Sequence, residues 1–203
     1  MILNIYDKPS KFIFIRVPKT GSDSLYKMLP PSNNPTESGG HESIQKHQQY
    51  LKNTFSSYYS FGFVRNPWDR AVSLYEYCLE TYLADRYKDI VNFDSFKTFI
   101  ETSCNPDHTG KNRFTSIHMK PQYDYLSIQN RLAVDFVGRF ETLEEDTKNV
   151  FNSIGVEMPE TFLHTHKTKS RPHYSEYYND RLQKLVGKQF ALDVTNFEYT
   201  LEK

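Results

Sequence analysis

Apolar residues along the chain form short continuous runs that are each followed by apolar residues at helical spacing. The run over residues 11–17 is rich in Phe, Ile and Val and is closed by Pro18, which predicts a buried strand. Helical spacing follows it as far as Leu29. A second run, 58–64, also predicts a strand, and helical spacing follows it from Asp69 to Leu83. A strand, a loop and a helix therefore occur twice in succession.

The remaining pattern continues this alternation. It predicts one more strand, at 134–138, and further helices over 42–52, over 93–101, from Thr142 and over 175–197. Thr142 and Glu145 match a capping box, while 30–40 and 105–120 have the composition of loops. Strands that alternate with helices indicate an α/β fold with a mainly parallel central sheet flanked by helices, and we expect a single domain over 1–203.

Composition and charge exclude several classes of protein. The 25 Lys and Arg residues balance the 25 Asp and Glu residues, whereas a protein that binds duplex nucleic acid normally carries a basic surplus. Two cysteines without CxxC spacing favour neither a disulfide framework nor a zinc site. No apolar stretch approaches the roughly 20 residues that span a bilayer, and the N-terminus does not resemble a signal peptide. We expect a soluble, cytoplasmic protein with no nucleic-acid or membrane partner.

The loop after the first predicted strand, Val17–Ser24, is suited to binding an anion. It lies at the carboxyl end of a strand and at a helix N-terminus, where backbone N–H groups favour phosphate or sulfate. Gly21 allows close approach, and Lys19 adds a positive charge. Further hydroxyl donors are Thr20, Ser22 and Ser24. A plain turn capped by serine or aspartate remains an alternative, and the lysine precedes the glycine, which disfavours an ordinary Walker nucleotide site.

The second strand-to-helix connection repeats this arrangement with different residues. Arg65 stands at the strand end, and Ser73 follows within the helix. Together they can hold a second phosphate.

These two segments together resemble the donor-binding motifs of a known family. A strand, PKTGS and a helix, followed by a strand, RNPWDRxxS and a helix, are similar to the two motifs of the PAPS-dependent sulfotransferases. The PKTGS form resembles the carbohydrate-type and bacterial branch, with motifs like those of uronyl 2-O-sulfotransferases. Later blocks extend the resemblance over most of the chain: Pro121–Tyr123, Val137–Glu141 and Pro172–Tyr178. The resemblance implies a P-loop-like fold.

The resemblance also implies roles for individual residues. The first motif would bind the 5′-phosphosulfate of PAPS through Lys19, Thr20, Gly21, Ser22, Asp23 and Ser24. Arg65 and Ser73 would bind its 3′-phosphate, and Lys169 or Arg171 would close over that phosphate. Arg16 matches a basic position just before the loop. Two alternatives stay open: Arg16 as an edge residue, and 167–171 as a solvated run of charge.

Sulfuryl transfer to a hydroxyl needs a cation for the departing phosphate and a base for the acceptor proton. Lys19 is the candidate cation and His41 the candidate base, since imidazole accepts a proton near neutral pH. His47 is a poorer candidate, because six helical positions turn it about 240° away from His41. The reserve bases are His118, and Glu42 or Glu141 for a carboxylate mechanism. No metal is expected, because a sulfuryl group carries less charge than a phosphoryl group.

The sequence thus predicts a PAPS-dependent sulfotransferase that acts on a hydroxyl of a saccharide or small molecule. Two other hypotheses remain: an ATP-dependent small-molecule phosphotransferase, and a non-catalytic nucleotide-binding module.

Overall fold

The structure, a computed structural model, describes residues 4–31, 40–80, 95–104, 113–163, 165 and 171–202. In this part of the chain the strands are β1 (Ile5–Tyr6), β2 (Phe12–Ile15), β3 (Tyr59–Val64), β4 (Ser127–Ile128), β5 (Arg131–Leu132) and β6 (Phe136–Arg139). The α-helices there are α1 (Ser22–Met28), α2 (Ile44–Leu51), α3 (Pro67–Glu80), α4 (Phe96–Ser103), α5 (Arg113–His118), α6 (Tyr123–Leu126), α7 (Leu143–Ile154), α8 (Asp180–Gln189) and α9 (Ala191–Asn196). Shorter 3-10 turns cover Lys52–Ser57, Phe140–Thr142 and Tyr174–Tyr177.

The central sheet has the strand order β1-β2-β3-β6. β3 pairs in parallel with β2 on one side and with β6 on the other, and β1 adds an antiparallel edge to β2. Phe61 of β3 lies opposite Phe14 on β2 and Phe136 on β6. The predicted mainly parallel sheet is therefore confirmed, with its three principal strands near the predicted positions.

The chain divides into two compact units. The first unit comprises Met1–Arg65 and Gln122–His166, and the second comprises Asn66–Pro121 and Lys167–Lys203. The central sheet and the loop after β2 belong to the first unit. The single domain expected over 1–203 stays a prediction.

Aromatic side chains fill the core of the first unit on one face of its sheet. Phe14 and Phe61 stack with ring centroids 5.0 Å apart, and Phe63 meets Phe61 edge-on. Buried apolar residues of α1 and α7 join this cluster, including Leu25 and Phe151. Removing these apolar side chains from water is the main stabilisation of such a layer.

The opposite face of the sheet is covered by α6. Side chains alternate along a strand, so Gly62 faces away from its aromatic neighbours. A Cβ atom at Gly62 would lie 2.5 Å from a methyl carbon of Leu126, the last residue of α6. Helices therefore lie on both faces of the sheet, as the sequence predicts.

The second unit is built around α3, α4 and α8. The ring of Phe96 on α4 meets Tyr75, Tyr177 and Tyr178 edge-on, at centroid distances of 5.4, 5.3 and 5.1 Å. The buried Arg70 of α3 lies over the ring of Phe190 and donates to the Lys120 carbonyl oxygen. Aromatic packing thus stabilises this unit as well.

Several local predictions differ from the structure. The single helix expected over 175–197 is divided, because Phe190 departs from helical geometry between α8 and α9. The loop expected over 105–120 contains α5, and its residues 105–112 lie outside the described residues. The predicted end of the third helix at Leu83 also lies outside them, since the structure describes α3 only to Glu80.

The predicted capping box at Thr142 is wrong. Thr142 makes no side-chain cap on α7; its hydroxyl donates instead to the Asp146 carboxylate at 2.8 Å. The chain enters α7 through the preceding 3-10 turn, which changes the backbone direction that a capping box requires. Nor does a serine or aspartate cap α1, whose N-cap is Gly21.

Candidate functional site

The loop between β2 and α1 has an unusual backbone. Lys19 and Gly21 both have left-handed dihedrals, with φ of 65° and 76°. This region is uncommon for a residue with a side chain, and it costs about 1 kcal/mol or more at Lys19. At Gly21 a Cβ atom would also lie 2.7 Å from a methyl carbon of Leu143. The glycine is therefore required both by its dihedral and by close packing.

The loop hydroxyls are partly used within the protein. Thr20 is buried and donates to the Val17 carbonyl oxygen at 2.9 Å. The Ser24 hydroxyl oxygen accepts from the Thr165 backbone N–H at 3.0 Å. Ser22 is buried in the first position of α1. Thr20 thus closes the loop on itself, and Ser24 ties α1 to a later segment of the same unit.

Arg16 and Asp23 form an ion pair beside this loop. The Arg16 guanidinium is buried, contacts the Asp23 carboxylate and lies 4.3 Å over the Tyr26 ring. Its Nε and Nη1 atoms have no hydrogen-bond partner among the described residues. A carboxylate only accepts hydrogen bonds, and the Asp23 carboxylate is paired here with the Arg16 guanidinium.

His41 is attached to the same arginine through the backbone. Its Nδ1–H donates to the Arg16 carbonyl oxygen at 2.7 Å, which makes Nε2 the proton-accepting atom of the neutral ring. Burial is the largest effect on His41 and lowers its pKa. The hydrogen bond to the Arg16 carbonyl and the charge of Asp23 raise the pKa, whereas the positive charges of Arg16 and Lys19 lower it further. The imidazole is therefore neutral near pH 7.

His47 has a different environment. It is fully buried; its Nε2 accepts from the Asn4 backbone N–H at 3.3 Å, and its Nδ1–H donates to the Ser43 carbonyl oxygen at 2.9 Å. Burial lowers the pKa of His47 to about 4. Both ring nitrogens hold backbone groups, so this histidine has a structural role.

Arg65 follows directly after β3 and reaches the loop. Its Nη1–H donates to the Lys19 carbonyl oxygen at 3.2 Å, and its guanidinium lies 3.9 Å over the Phe140 ring. The side-chain amide of Gln122 holds the Arg65 backbone on both sides: Arg65 N–H donates to Oε1 at 2.9 Å, and Nε2–H donates to the Arg65 carbonyl at 2.8 Å. The structure thus brings Lys19 and Arg65 together.

Sequence reasoning gave no role to Gln122 and Phe140. Both stand in blocks that were singled out only by resemblance. No local pattern predicts that a buried amide closes the end of a distant strand, because this contact depends on the tertiary fold.

The other candidate residues are distributed over both units. Glu42 and Glu141 belong to the first unit, where Glu141 is exposed. Within the second unit, Ser73 is buried on α3 and His118 ends α5. Lys169 lies outside the described residues.

Arg171, also in the second unit, contacts the Asp69 carboxylate. Its Nη1 atom is buried and has no hydrogen-bond partner within the described part of the chain. The ion pair holds the guanidinium against α3, since Asp69 lies in the first turn of that helix.

The described residues contain no group of three or more His, Cys, Asp or Glu side chains arranged to hold a metal ion. None of their helices combines the length and the apolar character that crossing a bilayer requires.

The chain is similar to a family of known sequences and to a protein of an archaeon. A family model described as "Sulfotransferase family" matches residues 4–200. An uncharacterized protein of Archaeoglobus fulgidus is 34% identical over 107 residues, which are 52% of this chain and 74% of the relative. No solved structure matches the chain.

Proposed function

The chain belongs to the sulfotransferase family over residues 4–200, and from this premise we propose that it transfers the sulfuryl group of PAPS to a hydroxyl of a saccharide or small molecule. The observation that carries this proposal is the loop after β2. Arg65 donates to the carbonyl of the left-handed Lys19, and His41 donates to the carbonyl of Arg16 just before the loop, which supports proposed roles for Lys19 as the cation and His41 as the base.

The loop is the proposed site of the 5′-phosphosulfate. Left-handed residues at 19 and 21, separated by Thr20, make a tight turn, and such turns can direct neighbouring backbone N–H groups toward one concave side, which favours an anion. Lys19 adds a full positive charge, and no side chain of the described residues caps the helix that follows. In this proposal Asp23 acts indirectly, by holding Arg16 in place.

Arg65 is the proposed contact for the 3′-phosphate. Its guanidinium is held by the Phe140 ring and the Lys19 carbonyl, which limits its conformations before a ligand arrives. Ser73 and either Lys169 or Arg171 are assigned to the same phosphate by the family resemblance, and these assignments remain proposals.

The proposed reaction is an in-line displacement at sulfur. The acceptor hydroxyl gives its proton to His41 Nε2 as its oxygen forms a bond to sulfur, and the bond from sulfur to the phosphate oxygen breaks. Lys19 stabilises the negative charge that develops on the departing phosphate. The products are the sulfated acceptor and adenosine 3′,5′-bisphosphate. The lower charge of a sulfuryl group removes the need for a metal clamp of the kind that phosphoryl transfer uses.

Calorimetric titration of the purified protein tests this function. We expect adenosine 3′,5′-bisphosphate to bind with a Kd of about 1–10 µM, and ATP with Mg²⁺ to bind at least about tenfold more weakly. Arg65→Ala should reduce the affinity for the bisphosphate. A preference for ATP with Mg²⁺ would instead support a phosphotransferase and overturn the proposal.

A further inference from the structure

The strongest unexplained feature of the first unit is the buried amide of Gln122. Its side chain is fully buried and makes both of its described hydrogen bonds to the backbone of one residue, Arg65. Arg65 stands one residue beyond the end of β3, where the sheet ladder no longer pairs its N–H and carbonyl groups. Gln122 supplies both partners at this point.

We propose that Gln122 is a positioning residue of the donor site and acts by fixing the direction of the Arg65 side chain. The Arg65 N–H and carbonyl belong to the two peptide groups on either side of its Cα, so holding both limits rotation of the backbone at that Cα and the Cα–Cβ bond of Arg65 keeps one direction. That direction brings Nη1 to 3.2 Å from the Lys19 carbonyl and places the guanidinium on the Phe140 ring.

The inference rests on the proposed function, in which Arg65 contacts the 3′-phosphate of the donor. Without Gln122 the arginine keeps its charge, but its side chain no longer has a fixed direction. The affinity for the 3′-phosphate should therefore fall. The 5′ side of the nucleotide is bound by the loop residues and should be affected much less. The quantity to measure is therefore the ratio between the affinity for a nucleotide with the 3′-phosphate and the affinity for the same nucleotide without it.

The experiment compares adenosine 3′,5′-bisphosphate with adenosine 5′-monophosphate, which differ only in the 3′-phosphate. Calorimetric Kd values for both ligands are measured in the wild type, Arg65→Ala, Gln122→Met and the double variant. We expect the preference for the bisphosphate to fall about a hundredfold in Arg65→Ala and about tenfold in Gln122→Met. In the double variant, the loss should equal that of Arg65→Ala alone, because Gln122 acts through Arg65.

Gln189→Met is the matched control. The Gln189 amide also donates to a backbone carbonyl, that of Met119 at 2.9 Å, but it lies in the second unit. Gln189→Met should leave the preference for the bisphosphate over the monophosphate unchanged. If Gln122→Met does not fold, Gln122→Glu replaces it, since a carboxylate keeps the size and the acceptor for the Arg65 N–H but cannot donate to the Arg65 carbonyl.

The outcomes separate the two claims. If Arg65→Ala does not change the ratio, the proposed assignment of the 3′-phosphate fails. If Arg65→Ala lowers the ratio but the Gln122 variants leave it unchanged, only the positioning role is overturned. An equal loss of affinity for both nucleotides in the Gln122 variants would show a purely structural role, which also overturns it.

Discussion

The two strand-to-helix junctions, after β2 and after β3, share the order strand, loop and helix but begin their helices differently. At the first junction α1 starts from the left-handed Gly21, and no described side chain caps it. At the second, the Asn66 side-chain oxygen accepts from the Trp68 backbone N–H at 3.1 Å. Pro67 occupies the first helical position there and has no N–H to satisfy.

This difference shows that a polar loop after a strand does not by itself indicate an anion site. The second junction uses its own asparagine where an anion would otherwise bind, so its proposed contribution comes from the Arg65 guanidinium. The first junction has no such cap, and its proposed contribution comes from the loop backbone and Lys19. Loss of the Lys19 charge at the first junction should therefore affect function, whereas loss of the Asn66 cap at the second should affect stability and leave the proposed role of Arg65 in place.

The largest effect is expected for the lysine of the first junction. Lys19→Met removes the charge that stabilises the departing phosphate, and we expect kcat to fall about a thousandfold, with the unfolding midpoint nearly unchanged. Lys27→Met, an exposed lysine on α1, is the control and should keep full turnover. Steady-state kinetics with PAPS measure both variants. Equal activity of the two variants would remove Lys19 from the chemistry.

The acid dependence of turnover tests the base beside the first junction. Burial places the pKa of His41 below 6.5, so the ring is neutral above that pH and becomes protonated as the pH falls. We expect kcat/KM to be flat above about pH 6.5 and to fall about tenfold per pH unit below an apparent pKa under 6.5. The profile is measured in buffers of constant ionic strength.

His41→Ala is the decisive variant for this profile. Its residual rate should be low and should no longer decline through that pH range, because the titrating base is gone. An acid limb that survives unchanged in His41→Ala would assign the titration to another group.

The cap of the second junction should matter for stability rather than for binding. The Asn66 amide also donates to the Thr200 carbonyl at 2.8 Å and to the Tyr174 hydroxyl at 3.2 Å, so Asn66→Ala removes the cap and these bonds together. We expect the free energy of unfolding to fall by about 2 kcal/mol. Ser22→Ala at the first junction should change it by less than about 0.5 kcal/mol. Urea unfolding followed by circular dichroism compares them, and equal losses would remove the distinction between the junctions.

A smaller effect on stability is expected from the close packing at the first junction, and a comparison of two glycines measures it. Gly21 and Gly155 both have left-handed dihedrals, but a Cβ atom would meet Leu143 at 2.7 Å in the first case and only Pro9 at 3.8 Å in the second. Gly155→Ala should cost about 1 kcal/mol of stability through backbone strain, and Gly21→Ala about 1 kcal/mol more. The same unfolding experiment measures the pair. Equal costs would mean that Leu143 moves away without penalty.

Much of the fold could be predicted because the strands of the sheet are continuous apolar runs. The runs 11–17 and 58–64 contain β2 and β3, and 134–138 overlaps β6. The edge strand β1 is only two residues long and has no periodicity that a pattern can detect. The break at Phe190 was missed because the apolar face continues across it, so side-chain spacing does not record the change in backbone direction.

The parts of the candidate site that could be predicted stand in short segments with a recognisable local pattern, such as the two strand-to-helix junctions. The loop itself predicts Lys19 and Gly21, but the local sequence does not show that Gly21 packs closely against Leu143. Gln122 and Thr165 contact this part of the unit from far along the chain. Such contacts follow from the tertiary fold and have no signal in the local sequence.

A crystal structure of the protein with adenosine 3′,5′-bisphosphate tests whether the loop after β2 and Arg65 bind the two phosphates of the donor. The account predicts the 5′-phosphate on the loop backbone within hydrogen-bond distance of Lys19 Nζ, and the 3′-phosphate against the Arg65 guanidinium. A nucleotide that leaves the loop after β2 empty would contradict the account.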